Sequence, residues 1–254
     1  IGNTYVSLAE DELARSTLRE ALSFHERARH PSSAIAASAG GRLAYYAYQD
    51  GDSAKALAAF DAIIARLRHD NASGPDVRAQ LGKMLEFKSN VLYASGRKEE
   101  ARAAKADAVA AWAEVRDEYP TEYLLAEIGQ TDLESALGHG QAALERAERL
   151  LADPLLHGKD VPPALLVQAR SQRVRALQAL GRHAEAEPLL RDTIDAFAAQ
   201  YGIDGAMTRY WRFRHAETLH ALGRLDEAQA VADAVLALPP DGSAAYRRIR
   251  TEVL

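Results

Sequence analysis

Eight histidines are spread along the 254-residue chain, and they are the first side chains to test for chemistry. His183, Glu185 and Glu187 are metal-ligating types close together, but their spacing does not bring all three to one helical face, so they read as a surface charge cluster. His215 and His220 are five apart, which on a helix turns them roughly 140° from each other and makes them poor joint ligands. The chain has no His-Glu-x-x-His segment, no phosphate-cradling glycine loop and no Gly-x-Ser-x-Gly elbow. Zero cysteines exclude disulfides, thiolate metal sites and cysteine nucleophiles. No catalytic residue, metal site or cofactor is therefore assigned. For nucleic acid, the best basic stripe is Arg170, Arg173 and Arg175 with Tyr210, Trp211, Arg212 and Arg214. Glu185, Glu187, Asp192 and Glu217 dilute its field, so nucleic acid is not expected as a partner. Trp112 and Trp211 each lie among apolar neighbours and read as packing residues.

A different set of residues has the chemistry of recognition. Asn3, Tyr45, Asn90, Asp132, Arg175 and Glu217 recur six residues before a turn residue, and Val6, Tyr48, Tyr93, Ser135, Gln178 and His220 recur three before it. A step of three keeps both sets on one helical face. Asparagine is a poor helix former, and its amide can both donate to and accept from a peptide backbone. Two explanations of the row stand side by side: a binding surface, or a solvated face whose tyrosines fill gaps between helices. Its character runs from neutral Asn and Tyr to Asp132, Arg175, Glu217 and His220, which suits a peptide with an apolar end and a charged end.

The elements that carry this row repeat. Ala14, Ala56, Ala101, Ala143, Ala186 and Ala228 fall at intervals of 42, 45, 42, 43 and 42 residues. Five residues before each stands a turn residue, Ala9 first and then Gly51, Gly96, Gly138, Gly181 and Gly223. Apolar residues on both sides of each turn follow helical spacing, as in Ala56, Leu57, Phe60, Ile63 and Ile64. A glycine that ends one helix and opens the next gives a helix pair, and the alanine marks a crossing where only a methyl fits. Small residues seven before the turn, Gly2, Ala44, Ser89, Thr131 and Ala216, with Val174 the exception, let the axes approach. Two glycines near 138–140 leave the turn register of the fourth unit open by a residue or two.

The segments Gly2-Asn3-Thr4-Tyr5, Gly51-Asp52-Ser53-Ala54-Lys55-Ala56, Gly96-Arg97-Lys98-Glu99-Glu100-Ala101, Gly181-Arg182-His183-Ala184-Glu185-Ala186 and Gly223-Arg224-Leu225-Asp226-Glu227-Ala228 carry a resemblance. The chain resembles a tetratricopeptide repeat array of the kinesin-light-chain type with a period near 42, as found in many bacterial signalling proteins. Arg29-His30-Pro31, Gly74-Pro75-Asp76 and Tyr201-Gly202-Ile203-Asp204 stand where that type has its inter-repeat loops. The resemblance implies an all-α, right-handed α-solenoid of stacked antiparallel helix pairs. One solenoid over 1–254 would comprise six repeats, near 1–29 (truncated), 32–69, 75–118, 121–153, 162–200 and 205–238, with a closing helix over 243–254. It also implies that the first helix of each pair lines a concave groove, which makes Asn3, Tyr45, Tyr48, Asn90, Tyr93, Asp132, Arg175, Gln178, Glu217 and His220 the candidate ligand-binding residues. Only Arg42 and Lys83 lie where a dicarboxylate clamp would want cations.

With 48% hydrophobic and 26% charged residues the composition is that of a folded domain, and the net charge of −5 is shared by both halves. No apolar run nears the roughly 20 residues needed to cross a bilayer, so no membrane insertion is expected. Cytoplasm and periplasm both stay open. The chain starts at Ile1 and its first unit is short, which reads as a fragment of a longer protein. Three functions fit: a protein-binding scaffold or sensor module from a larger signalling protein such as a Ser/Thr kinase or transcription regulator; a receptor that tightens around a peptide or small ligand; and a spacer that self-associates as an oligomer, whose sign would be an exposed apolar first repeat. An enzyme is not expected, because an open groove does not converge titratable groups.

Overall fold

The computed structural model describes residues 11–27, 33–69 and 74–238. Asn3, Val6, the Arg29-His30-Pro31 loop and the 243–254 segment lie outside them. Among the described residues all regular structure is helical. The α-helices are α1 (Asp11–Glu26), α2 (Ser33–Gln49), α3 (Ser53–His69), α4 (Pro75–Ala94), α5 (Lys98–Ala113), α6 (Pro120–Ala136), α7 (Gly140–Ala152), α8 (Pro163–Ala179), α9 (His183–Tyr201), α10 (Ala206–Ala221) and α11 (Leu225–Leu236). A short 3₁₀ helix, Pro154–His157, joins α7 to α8. The chain divides into two compact units, Ile1–Ala126 and Glu127–Leu254, with the boundary inside α6. In the first unit α1 to α5 pack each on the next, and α2 also packs directly on α4. In the second, α7 to α11 pack in the same serial way.

The helix pairs are made by one repeated turn. Gly51, Gly96, Gly138, Gly181 and Gly223 all have φ between 69° and 88°, the left-handed region that a β-carbon disfavours. Each turn closes with two backbone bonds. At the first, Gly51 N–H donates to Tyr48 C=O and Asp52 N–H to Ala47 C=O, both at 2.9 Å. This 5→2 and 6→1 pairing satisfies carbonyls that a helix end leaves orphaned. Bonds of the same kind close the fourth repeat at Gly138, so its register does not slip. The residue after the glycine opens the next helix, and in three repeats it is an arginine whose guanidinium grips the glutamate three residues on: Arg97–Glu100, Arg182–Glu185 and Arg224–Glu227, each through two bonds of 2.5–2.7 Å. The fork holds each of these glutamates below the usual carboxylate pKa. In the second repeat Asp52 takes over, accepting from Lys55 N–H at 2.9 Å as an N-cap.

The periodic alanines sit at the crossings. Ala14, Ala56, Ala101, Ala143 and Ala186 have 0% exposure and Ala228 has 7%. The small residues opposite them are buried too, and Ser89 donates its hydroxyl to Ala101 C=O at 2.8 Å, tying the two crossing helices together. In the first unit glycines extend this close packing. A β-carbon on Gly41 would meet Met84 Sδ at 2.5 Å, and one on Gly82 would meet the Trp112 indole at 2.8 Å. In the second unit Ala143, Leu144, Val174, Leu177, Ala186, Leu190, Phe197 and Trp211 form one buried cluster, with Phe197 stacked on Trp211 at 5.9 Å. Both tryptophans are core residues, 4% and 2% exposed.

Candidate functional site

The face singled out by sequence lies on α2 and α4 in the first unit and on α6, α8 and α10 in the second. On α2, Tyr45 and Tyr48 are half-buried and lie 6.0 Å apart, and Tyr45 also meets Phe87 of α4 at 5.8 Å. Phe87 in turn touches buried Phe60. The row of tyrosines is thus anchored to the core at one end. On α4, Asn90 and Tyr93 are exposed. None of Tyr45, Tyr48, Asn90 and Tyr93 makes a side-chain hydrogen bond among the described residues.

A groove of the first unit lies two helical turns along the same face. Ser38 and Lys83 stand seven residues before Tyr45 and Asn90, a displacement of roughly 10 Å along each helix. Together with Ile35, Glu86, Trp112 and Tyr119 they line a groove of about 550 Å³. Lys83 has no ion-pair partner among the described residues. Glu86 is held by Lys105 at 2.7 Å, and Asp76 accepts from the Tyr119 hydroxyl at 2.6 Å. That bond, with burial and the Asp76 charge adding to it, pushes the Tyr119 phenol above its usual pKa. The groove therefore offers an apolar back wall, one free ammonium and a rim of carboxylates. The stride of seven from Asn90 back to Lys83 was visible in the sequence, but the six-before and three-before positions alone do not reach this far.

In the second unit the same positions are bonded to one another. Arg175 of α8 pairs with Asp132 of α6. Gln178 of α8 is held at both ends of its amide: it donates to Thr218 Oγ1 at 2.7 Å and accepts from Arg214 Nη2 at 2.7 Å. Arg214 also donates to Glu217 Oε2 at 2.6 Å. His220 is exposed at the far edge, lining a separate groove with Glu217, Phe213 and Leu225. The sequence named Asp132, Arg175, Gln178 and Glu217 as ligand-facing, and the structure brings them together as a polar ladder between neighbouring first helices.

One reading is corrected. Glu187 is not a surface charge: it is 8% exposed, and its Oε1 takes His215 Nε2 at 3.2 Å, Arg191 Nη2 at 2.5 Å and Arg224 Nη1 at 3.5 Å. Burial pushes its carboxyl pKa up, but bonds from His215 and Arg191 outweigh this and leave it below the usual value. Glu185 and His183 take no part in that hub, since Glu185 belongs to the Arg182 fork. Among the described residues no group of three His, Asp or Glu side chains is placed to hold a metal ion, and no helix is long and apolar enough to cross a membrane.

No protein-family model and no curated protein matches this sequence. Solved structures do. A kinesin light chain of Podosopora anserina with nearly identical TPR-like repeats aligns with a TM-score of 0.65 at 20% identity, over 88% of this chain and 99% of that one. BtubC (BKLC) from P. vanneervenii aligns at 0.69 and 14% identity, over 94% of this chain and 90% of its own. A Rap protein complexed with competence and sporulation factor aligns at 0.55 and 14% identity, over 91% of this chain and 59% of its own. The repeated glycine turns, the buried alanines at each crossing and these neighbours agree that the fold is that of a tetratricopeptide-repeat solenoid of stacked helix pairs.

Proposed function

We propose that this chain is a non-catalytic module that binds a peptide or an extended segment of a partner protein on the first-helix face, within a larger bacterial signalling protein. The observation that carries the proposal is unspent bonding capacity. Lys83, Asn90, Tyr45, Tyr48 and Tyr93 share one face beside a 550 Å³ groove and have no polar partners among the described residues, although this face is otherwise well packed. Polar groups left open beside apolar walls are what an extended peptide can use, since its backbone offers a donor and an acceptor at every residue. A Rap protein of the same fold, complexed with competence and sporulation factor, supports the reading by example. Asp132, Arg175, Gln178, Glu217 and His220 belong to the proposed surface as its charged part, and a ligand there has to compete with bonds already made. Asn3 is proposed with them from its repeat position alone. Affinity capture from bacterial lysate, with wild type and Asn90→Ala/Tyr93→Ala as bait, tests this. A bound protein lost with the double variant supports the face; an unchanged set of bound proteins rejects it.

A second reading has its own observation. Leu13 and Phe24 of α1 are 46% and 72% exposed and stand eleven residues apart, which is three helical turns and one face. An exposed apolar α1 suits self-association. Sedimentation of wild type against Phe24→Ser decides it, because a wild-type oligomer that the substitution dissolves is the expected result.

A further inference from the structure

The two units each carry a groove on the second-helix side, and the ion pairs that bridge it are shorter and more numerous in the first unit among the described residues. In the first unit the groove between α3, α4 and α5 is bridged by Lys88–Asp61 at 2.6 Å and Arg68–Asp107 at 2.8 Å. The groove between α7, α8 and α9 is built from the same repeat positions. Arg173 stands where Lys88 does, eight residues before the turn glycine, and Asp192 stands where Asp107 does, eleven after it. The bridging is nevertheless looser and less complete. Glu148 stands where Asp61 does, ten residues after the turn glycine, and its ion pair with Arg173 is long, 3.9 Å from Nε to Oε1 against 2.6 Å for Lys88–Asp61, so that Nε is a buried nitrogen with no hydrogen-bond partner. The counterpart of Arg68 is missing because α7 stops at Ala152 and the chain turns through Pro154–His157, whereas α3 runs on to His69. Where Leu85 lines the first groove, exposed Arg170 lines the second, with no ion-pair partner among the described residues.

We infer that the groove between α7, α8 and α9 is a second binding site, for an acidic segment of a partner protein in which a Glu or Asp is flanked by a leucine-sized side chain. Its volume of about 410 Å³ lies within the range of ligand pockets. Leu151, Leu166 and Leu189 give it an apolar lining for the flanking side chain, and Arg170 and Arg173, one turn apart on α8, receive the carboxylate as charge-assisted donors. Asp192 faces the same space. Its negative charge opposes a phosphate dianion more than a single carboxylate and leaves an acceptor for a ligand backbone N–H, which is why a carboxylate is the ligand favoured here.

The test is a nitrogen-15 NMR titration of the full chain with Ac-Leu-Glu-Leu-NH2, Ac-Leu-Gln-Leu-NH2 and inorganic phosphate, each to millimolar concentration. The acidic peptide should shift signals at 151, 166, 170, 173, 189 and 192. The neutral peptide, and the acidic peptide with Arg170→Gln, should bind about tenfold more weakly, the loss of one charge-assisted contact worth about 1.4 kcal/mol. Arg170 is at the surface, so the spectrum of the variant should otherwise match wild type, and Asn90→Ala/Tyr93→Ala should leave this titration unchanged. No shifts at the groove with the acidic peptide, equal binding by the neutral peptide or by Arg170→Gln, or phosphate binding as tightly as the acidic peptide would each overturn the assignment.

Discussion

The first-helix faces of the two units are built on one repeat register and have spent their polar groups differently. In the first unit Tyr45, Tyr48, Asn90 and Tyr93 are left without hydrogen-bond partners among the described residues. In the second, Arg175 holds Asp132, and Gln178, Arg214, Glu217 and Thr218 hold one another across α8 and α10. The second-helix grooves lean the other way, bridged by ion pairs of 2.6 and 2.8 Å in the first unit and by the longer Arg173–Glu148 pair of 3.9 Å in the second. One backbone scheme can thus leave polar groups open on either side of a helix pair, and side chains at equivalent positions decide on which side. A satisfied polar ladder adds rigidity and stability; an unsatisfied one keeps its capacity for a ligand.

Substitutions can break or sharpen that contrast. The largest effect should be the same in both units, because the crossings are the same: Ala101→Leu and Ala186→Leu each force an isobutyl group into a site of 0% exposure and should cost about 1–3 kcal/mol in urea unfolding. A clearly smaller loss at one of them would show that its helices can separate and that the crossings are not equivalent. A smaller effect should separate the units. Arg214→Ala strands Gln178 Oε1 and Glu217, and should cost about 1 kcal/mol, since these groups are only half-buried. Asn90→Ala should stay within about 0.5 kcal/mol of wild type, and equal losses at the two sites would erase the proposed difference. The smallest effect is on acid stability. Because the folded carboxyl of Glu187 titrates below the ordinary 4.5, its contribution is fully present above that value and is lost as pH falls through the lowered folded pKa. Wild type should therefore lose more stability between neutral pH and pH about 3 than Glu187→Gln does. A parallel pH dependence for the two proteins would show that the hub adds nothing.

The parts of the fold that sequence reveals are those set by local constraint. Gly96 must be glycine because its φ is 78°, and Ala101 must be small because a helix lies against it; both conditions recur with the turn, so they write a period into the chain. The pairings are not legible in this way. Arg175 and Asp132 are 43 residues apart, and their meeting depends on how two first helices pack rather than on either neighbourhood. Glu187 reads as a surface residue from its charged neighbours, yet it is buried by His215 from α10 and Arg224 from the start of α11, which only the packed structure brings to it. Lys83 was visible as a cation near the row, but the groove it lines depends on Trp112 packed over Gly82, thirty residues away on another helix, which neither residue's neighbours reveal.

The two tryptophans fall one to each unit, and the chain has no others. Trp112 meets Tyr119 edge-on at 6.0 Å, while Trp211 is stacked on Phe197 with Tyr210 edge-on at 5.3 Å. Their indoles are shielded from water in differing aromatic surroundings, so each unit carries its own fluorophore. Replacing either one with phenylalanine leaves an indole emission that belongs to the other unit alone, and the loosening of each unit becomes visible as a separate red shift.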